Sequence, residues 1–280
     1  MPKRSERDIL EEKLTKQLAR TSIEYELLGP GDRILVAVSG GKDSYSLLYL
    51  LERLRPRLPF ELELVAFHLD QCQPGYDGTS LRQWLSAFGV PYRVVKEDTY
   101  AVVRKYTKPG ATTCPVCSRM RRGIIYTWAE KLGCNKIALG HHRDDAIITL
   151  LLNLFFQGRI QAMPAKYHTD DGRFEVIRPL IEIPEKQLAR LAELCGFPIV
   201  PCRVCSAQPD HKRTAMAELL SGLEKQYPNV RDVLFSALKR VRPSHLLDRG
   251  LQETLRQNRS GVPAARSGSE GGRDESGCVF

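Results

Sequence analysis

Six consecutive residues, Ser39-Gly40-Gly41-Lys42-Asp43-Ser44, combine the groups needed to hold a chain of phosphates. The two glycines can take backbone angles closed to other residues and let an anion approach the main chain closely. Ser39 and Ser44 add hydroxyl donors, Lys42 adds a cation, and Asp43 can hold a metal that bridges phosphates. This is not a Walker loop, which needs a four-residue spacer between its first glycine and its Gly-Lys-Ser/Thr end. A second polar set is His141-His142-Arg143-Asp144-Asp145. Adjacent residues on a strand point to opposite faces and HExxH-type spacing is missing, so a nucleotide role suits these histidines and carboxylates better than a zinc cluster. A third set is soft: Cys114-x-x-Cys117 and Cys202-x-x-Cys205 offer four thiols from what read as two tight turns, each before a helix whose N-terminal dipole favours thiolate.

The elements that must position these groups follow from hydrophobic periodicity. Residues 33–39 form a short β-branched apolar run typical of a strand buried on both faces, and Leu47, Leu50, Leu51 and Leu54 repeat at helical spacing. The glycines lie at the turn between them, where the free N–H groups and positive dipole end of the helix would face an anion. Residues 62–70 and 92–95 read as further strands, with helices at 79–88 and 99–107. Another helix spans 118–132, a strand 134–140, and a long apolar helix runs to Phe156. The β-α-β alternation predicts an α/β fold with a doubly wound parallel sheet. Ligands of such sheets sit outside the carboxyl ends of the strands, which places His68, Asp70, Gln71 and the 141–145 set around one crevice. Asp70 suits either a ribose or metal contact or a turn cap. Residues 158–171 read as a polar loop, 174–180 as a strand, and 184–195, 208–227 and 230–241 as helices.

The chain of 280 residues with 42% hydrophobic content is expected to hold three parts: an N-terminal helical extension within 1–29, a main domain over 30–245, and a disordered tail over 246–280 rich in Gly, Ser and charge. Cys278 in that tail reads as a spare thiol. No run of about 18 apolar residues occurs and the first residues are charged, so neither a membrane span nor a signal peptide is expected and the chain is placed in the cytoplasm. There, eight cysteines favour metal or redox chemistry over disulfides. The formal charge of +9 and pI near 9.2 suit a polyanionic partner or a solvated basic face. The two cysteine pairs alone would also fit a structural zinc site fastening one loop to the other.

The hexapeptide Ser39–Ser44 resembles the PP-loop of ATP pyrophosphatases, SGGxDS. The segment LGHHRDD, followed by Thr149, resembles the second signature of those enzymes, with Ile148 where many relatives have Glu. TTCPVCSRMRRGIIY, IALGHHRDD, LNLFFQG, MPAK, IRPL, PCRVCSAQPDHKR and VRPSHL, in this order, are similar over residues 30–247 to the tRNA 2-thiocytidine synthetases.

That resemblance implies a Rossmann-like PP-loop ATPase that thiolates cytidine 32 of tRNA, forming AMP and pyrophosphate. It implies ATP bound by Ser39, Gly40, Gly41, Lys42, Asp43, Ser44, Asp70, His141, Asp144 and Asp145, with Mg²⁺ on Asp43 and Asp144. Lys42 and Asp43 would be catalytic. It further implies a [4Fe–4S] cluster on three cysteines, Cys114, Cys117 and Cys205, with Cys202 as a neighbour or alternative ligand. Its free iron would carry sulfide to C2 after the C2 oxygen has been adenylated. Arg119, Arg121, Arg122, Lys212 and Arg213, with Arg159 and Lys166, become phosphate contacts for tRNA. A cysteine desulfurase as sulfur source and a homodimer are family expectations. A uridine 2-thiolase, a lysidine-type ligase and a zinc-stabilised RNA-binding module are the competing readings.

Overall fold

The computed structural model describes residues 4–106, 114–200 and 211–260. Its centre is a six-stranded sheet in the order β3-β2-β1-β4-β6-β5. The strands are β1 Arg33–Ala37, β2 Glu63–Asp70, β3 Tyr92–Lys96, β4 Lys136–Ala138, β5 Lys166–His168 and β6 Glu175–Ile177. All neighbours are parallel except the edge strand β5, which runs antiparallel to β6. The doubly wound α/β fold read from the sequence is therefore observed. β5 is a correction, since it lies in a stretch expected to be loop.

Both faces of the sheet are covered, and alternation along β1 sends its side chains to both. Ile34 and Val36 enter a core with α1 (Glu6–Glu24), α2 (Lys42–Leu54) and α7 (Glu185–Cys195), in which Leu14, Leu18, Leu47, Leu50, Leu188 and Leu191 are fully buried. Leu35 turns to the opposite face and meets Val65, Phe67, Ile137 and the helix α5 (Cys114–Lys131) through Ala129 and Trp128. A third cluster joins α6 (Arg143–Gln157) to α8 (His211–Gln226) through Ile147, Ile148, Leu151, Met216 and Leu220. Ile148, the residue that departs from the PP-loop signature, is thus a packing residue against α8. Helices α3 (Thr79–Phe88) and α4 (Thr99–Tyr106) flank β3, and α9 (Val230–Lys239) follows α8.

Several expected boundaries change. The N-terminal helical extension packs onto the main domain. A Ser5–Asp8 capping box starts it, and Leu14 and Leu18 bury it on α2 and α7. It ends at Glu24, before Glu26 takes a left-handed backbone angle. Cys114 and Cys117 lie inside the first turn of α5 rather than in a turn before a helix; Pro115 is compatible there because the first-turn N–H groups have no helical acceptor.

The chain divides into two compact units, one up to Phe235 and one from Ser236 onward. In the second, residues expected to be disordered from 246 form α10 (Arg249–Ser260), whose start is capped by Asp248 accepting from the Leu251 N–H at 2.9 Å. Gln252 fastens it by donating to the carbonyls of Pro243 and Leu246 at 3.1 and 2.8 Å. Cys202, Cys205 and Cys278 lie outside the described residues.

Candidate active site

β1 and β4 are neighbours, yet the chain leaves β1 for β2 on one side and later returns to β4 on the other. This is the topological switch point of the sheet, where a crevice opens beyond the strand ends. A cleft of about 730 Å³ occupies it, lined by Ser39, Gly41, Asp43 and Ser44 after β1, by His68 and Gln71 after β2, and by Gly140, His141 and Asp145 after β4.

The 39–44 turn is held by its own side chains. Ser44 Oγ donates to the Gly41 carbonyl at 2.8 Å and accepts from the Ser39 N–H at 3.1 Å. Gly40 adopts φ +89°, a left-handed value suited to glycine, while its carbonyl accepts from the Val200 N–H at 2.9 Å. Gly41 caps α2 without a side chain, so no cap blocks the first turn of the helix from an anion.

Lys42 Nζ lies 3.0 Å from Asp43 Oδ2 and 2.8 Å from Glu185 Oε1. Burial disfavours its charge, but Glu185 and Asp43 outweigh that and hold the ammonium above its ordinary value. Burial raises the Asp43 carboxyl against the opposing pull of His142 and Lys42, and Asp145 raises it further. Asp43 Oδ1 is buried without a hydrogen-bond partner among the described residues. A half-buried carboxylate with one unused, buried oxygen, beside a second cleft carboxylate at Asp145, is a donor set suited to a hard divalent cation such as Mg²⁺.

The 141–145 set divides by role. His142 caps α6, and its N–H donates to Asp145 Oδ2 at 3.1 Å in a capping box. Asp145 lines the cleft and its other oxygen pairs with Arg213. His141 accepts from Arg178 Nε at 3.3 Å; burial, with Arg178 next, pushes its pKa down to about 4, so the ring is neutral near pH 7. The structure does not bring Asp144 into the cleft. It is buried, its Oδ1 paired with Arg231 Nη1 at 2.6 Å and its Oδ2 accepting from the Glu185 N–H at 2.8 Å. Of the two carboxylates expected beside the phosphates with Asp43, only Asp145 lines the cleft, because successive residues of a helical turn point about 100° apart and only the second faces the opening.

On the β2 side, His68 and Gln71 line the cleft, whereas Asp70 takes the turn-cap alternative, accepting from the Cys72 N–H at 2.9 Å. His68 Nδ1 lies 2.7 Å from the Val38 carbonyl and so carries the proton, leaving Nε2 to accept from the Tyr76 hydroxyl at 2.5 Å. Burial lowers His68 and raises Tyr76 to about 12, so both are neutral.

Cys117 is buried and its thiol lies 3.4 Å from Gln71 Oε1, which ties α5 to the cleft wall. One residue further along α5, Ser118 lines the cleft, followed by Arg121 and Arg122. Arg121 Nε is buried with no hydrogen-bond partner among the described residues. Of the other expected phosphate contacts, Arg119 and Arg159 are exposed, and Lys212 sits 4.8 Å over the Phe156 ring. Lys166 is turned to Glu26, with Nζ 3.1 Å from its carbonyl.

Four residues that matter to this geometry escaped the sequence reading. Glu185 holds Lys42, and Tyr76 holds His68. Arg178 is buried between His141 and the Pro164 carbonyl, to which it donates at 2.7 Å. A Cβ on Gly140 would lie 3.1 Å from the Asp43 carbonyl carbon and oxygen and 3.2 Å from the Ser44 nitrogen, so β4 can approach α2 only through a glycine. A glycine closing one strand beside a glycine loop on the next was the available signal for the last.

Comparison with known proteins agrees with this arrangement. A PP-loop domain model matches residues 9–198. The chain is 50% identical over 246 residues to a tRNA-cytidine(32) 2-sulfurtransferase of Anaeromyxobacter sp. (strain Fw109-5), covering 88% of this chain and 81% of that protein. It is 46% identical over 253 residues to the protein of that name in Paracidovorax citrulli, covering 90% and 82%. Among solved structures it resembles the U34-tRNA thiolase NcsA from Methanococcus maripaludis, determined with its [4Fe–4S] cluster, at a TM-score of 0.65 and 21% identity over 89% of this chain and 80% of that one. At that identity the likeness speaks for the fold. With a PP-loop at the switch point and half of its residues shared along most of its length, the chain belongs to the tRNA-cytidine(32) 2-sulfurtransferases of the PP-loop family.

Proposed function

We propose that this sulfurtransferase converts cytidine 32 of tRNA to 2-thiocytidine by adenylating the C2 oxygen and then displacing AMP with sulfur. The observation that carries the reading is the junction of two chemistries at one cleft: the phosphate-holding turn 39–44 on one wall, and on the other Gln71 in hydrogen-bond contact with the thiol of Cys117. An oxo group on a pyrimidine leaves poorly, and activation as an adenylate makes AMP the leaving group. In this scheme Ser39, Ser44 and the first turn of α2 seat the phosphates, and Lys42 stabilises the charge that develops as pyrophosphate departs. The unused oxygen of Asp43, with Asp145, would hold Mg²⁺, which when bound neutralises phosphate charge.

Cys114 and Cys117 are three residues apart in the first turn of α5, a spacing that suits a soft metal centre. They would hold a [4Fe–4S] cluster together with Cys205, Cys202 being the alternative, and a cluster with three protein ligands supplies one iron open to sulfur. Arg121 and Arg122 on the same helix provide cations where the anticodon loop must enter, and the target base would be splayed from its stack to reach the cleft. A cysteine desulfurase would supply the sulfur, the enzyme would work as a homodimer, and the cytoplasm, where tRNA is available, would be its place. Among the described residues no helix is long and apolar enough to cross a membrane.

The test is iron, labile sulfide and zinc analysis of protein purified without oxygen, followed by mass analysis of a tRNA transcript incubated with ATP, Mg²⁺ and sulfide. About four irons and four sulfides per chain, with mass gained at cytidine 32 and lost in Cys117→Ser, are expected. Stoichiometric zinc, or modification at a uridine instead, would replace the reading by one of its competitors.

A further inference from the structure

The last turn of α6 breaks the pattern that precedes it. Ile147, Ile148 and Leu151 are buried against α8, yet from Leu154 onward every residue to Gln161 is exposed, including Phe155 at 61% and Phe156 at 41%. A single exposed apolar side chain is ordinary, whereas several close together in the chain, here Leu154, Phe155, Phe156 and Ile160, mark an interaction surface. This one is held in shape: the Arg159 N–H donates to the Asn153 carbonyl at 3.1 Å and the Asn153 side chain donates to the Gln161 carbonyl at 2.7 Å, closing the helix end onto the following loop.

The surroundings are cationic. Lys212 Nζ lies 4.8 Å over the Phe156 ring and Arg159 follows two residues after the aromatic pair. Arg213, next to Lys212, pairs with Asp145 at the cleft. The start of α8 therefore carries positive charge from the cleft to the aromatic group, which lies ten residues, about 15 Å, along α6 from Asp145. Aromatic faces interleaved with Lys and Arg suit unpaired nucleotides, whose bases stack while their phosphates meet the cations. A purely apolar partner would instead have to desolvate those charges.

We infer that Phe155 and Phe156 form a stacking platform for unpaired nucleotides of the tRNA loop flanking the reacting base, with Lys212 and Arg159 as phosphate contacts. The inference rests on tRNA being the substrate. It is tested by fluorescence anisotropy of a labelled tRNA transcript on the full-length protein across a salt series. Phe155→Leu/Phe156→Leu keeps apolar bulk but removes the π faces and should weaken binding about tenfold or more. The salt slope and ATP affinity should stay unchanged. Phe155→Tyr/Phe156→Tyr keeps the rings and should bind within about threefold of wild type, whereas Lys212→Met should lower the salt slope by about one. Wild-type affinity in the Leu pair would overturn the platform while leaving tRNA thiolation standing. So would a loss shared by the Leu and Tyr pairs together with a changed sedimentation coefficient, since the face would then join copies of this chain. Failure of the wild type to bind tRNA at all would remove the substrate assignment itself.

Discussion

Asp144, expected beside the phosphates, lies outside the cleft and is paired with Arg231, so its replacement discriminates most. Its side chain is 5% exposed and that of Arg231 is 14%, with Nη1 to Oδ1 at 2.6 Å. Breaking a buried pair by removing one partner costs about 3 to 5 kcal/mol. The cost should be smaller here because each partner keeps another contact: Arg231 retains Glu224 at 2.8 Å, and in Asp144→Asn the side-chain oxygen can still accept from the Glu185 N–H. We expect Asp144→Asn and Arg231→Met each to lose about 2 to 3 kcal/mol, or roughly 5 °C in Tm for a chain of this size. The double variant should lose little more than either single one, giving a coupling of about 1.5 to 2 kcal/mol. Urea unfolding followed by Trp84 and Trp128 fluorescence, at equal metal content, measures this. The Mg²⁺ dependence of ATP binding should stay within about twofold in Asp144→Asn and collapse in Asp145→Asn. A fully stable Asp144→Asn protein that has lost its Mg²⁺ dependence would refute the assignment of Asp144 to the α6–α9 latch.

Three further outcomes follow from the same geometry. In Gly140→Ala the new methyl meets backbone atoms of Asp43 and Ser44 at 3.1 to 3.2 Å, and these cannot swing aside. The start of α2 must shift by a few tenths of an ångström, lowering kcat/KM for ATP on the order of tenfold and costing about 1 to 3 kcal/mol of stability; unchanged pyrophosphate release would contradict it. Lys42→Met should reduce pyrophosphate release about 10²- to 10³-fold. It should cost less than about 1 kcal/mol of stability, because its partner Glu185 is half-exposed; a large stability loss would make Lys42 structural. His141, with a folded pKa of about 4 against an ordinary 6.5, stays neutral while the unfolded chain takes up a proton. Stability should therefore fall as pH drops from about 6.5 towards 4, by about 1 to 2 kcal/mol between pH 7.5 and 5. His141→Gln should lack that component, and identical pH profiles for the two proteins would exclude it.

What the sequence made legible is local. The strand, the glycine turn and the amphipathic helix around Ser39–Ser44 are consecutive, and their periodicities and turn residues place the loop without reference to the rest of the chain. β5 was invisible because its three residues owe their extended form to pairing with β6 rather than to their own pattern. The division of labour between Asp144 and Asp145 was equally hidden. It depends on the rotation of one helical turn and on Arg231, 87 residues away. The docking place of the N-terminal helix was hidden for a related reason. Leu14 and Leu18 announce an apolar stripe but not its partner, and the partner is the helix that starts at the PP-loop. The helix at Arg249–Ser260 was obscured by the composition of the residues that follow it.

The two chemistries of the cleft also share one support. The Tyr45 ring of α2 stacks on Phe197 at 5.5 Å and packs edge-on to Trp84 at 4.8 Å, and its hydroxyl donates to the Pro198 carbonyl at 3.0 Å. Two residues later the Val200 N–H meets the Gly40 carbonyl, so the segment that runs on to the second cysteine pair is bolted to the phosphate-holding turn before it reaches Cys202. On the other wall Gln71, directly after β2, meets the thiol of Cys117. A displacement of α2 would therefore move the 39–44 turn and residues 197–200 together. In the proposed two-stage reaction a short-lived adenylate must meet sulfur before water does, and fixing the 39–44 turn and residues 197–200 to one helix would serve that need.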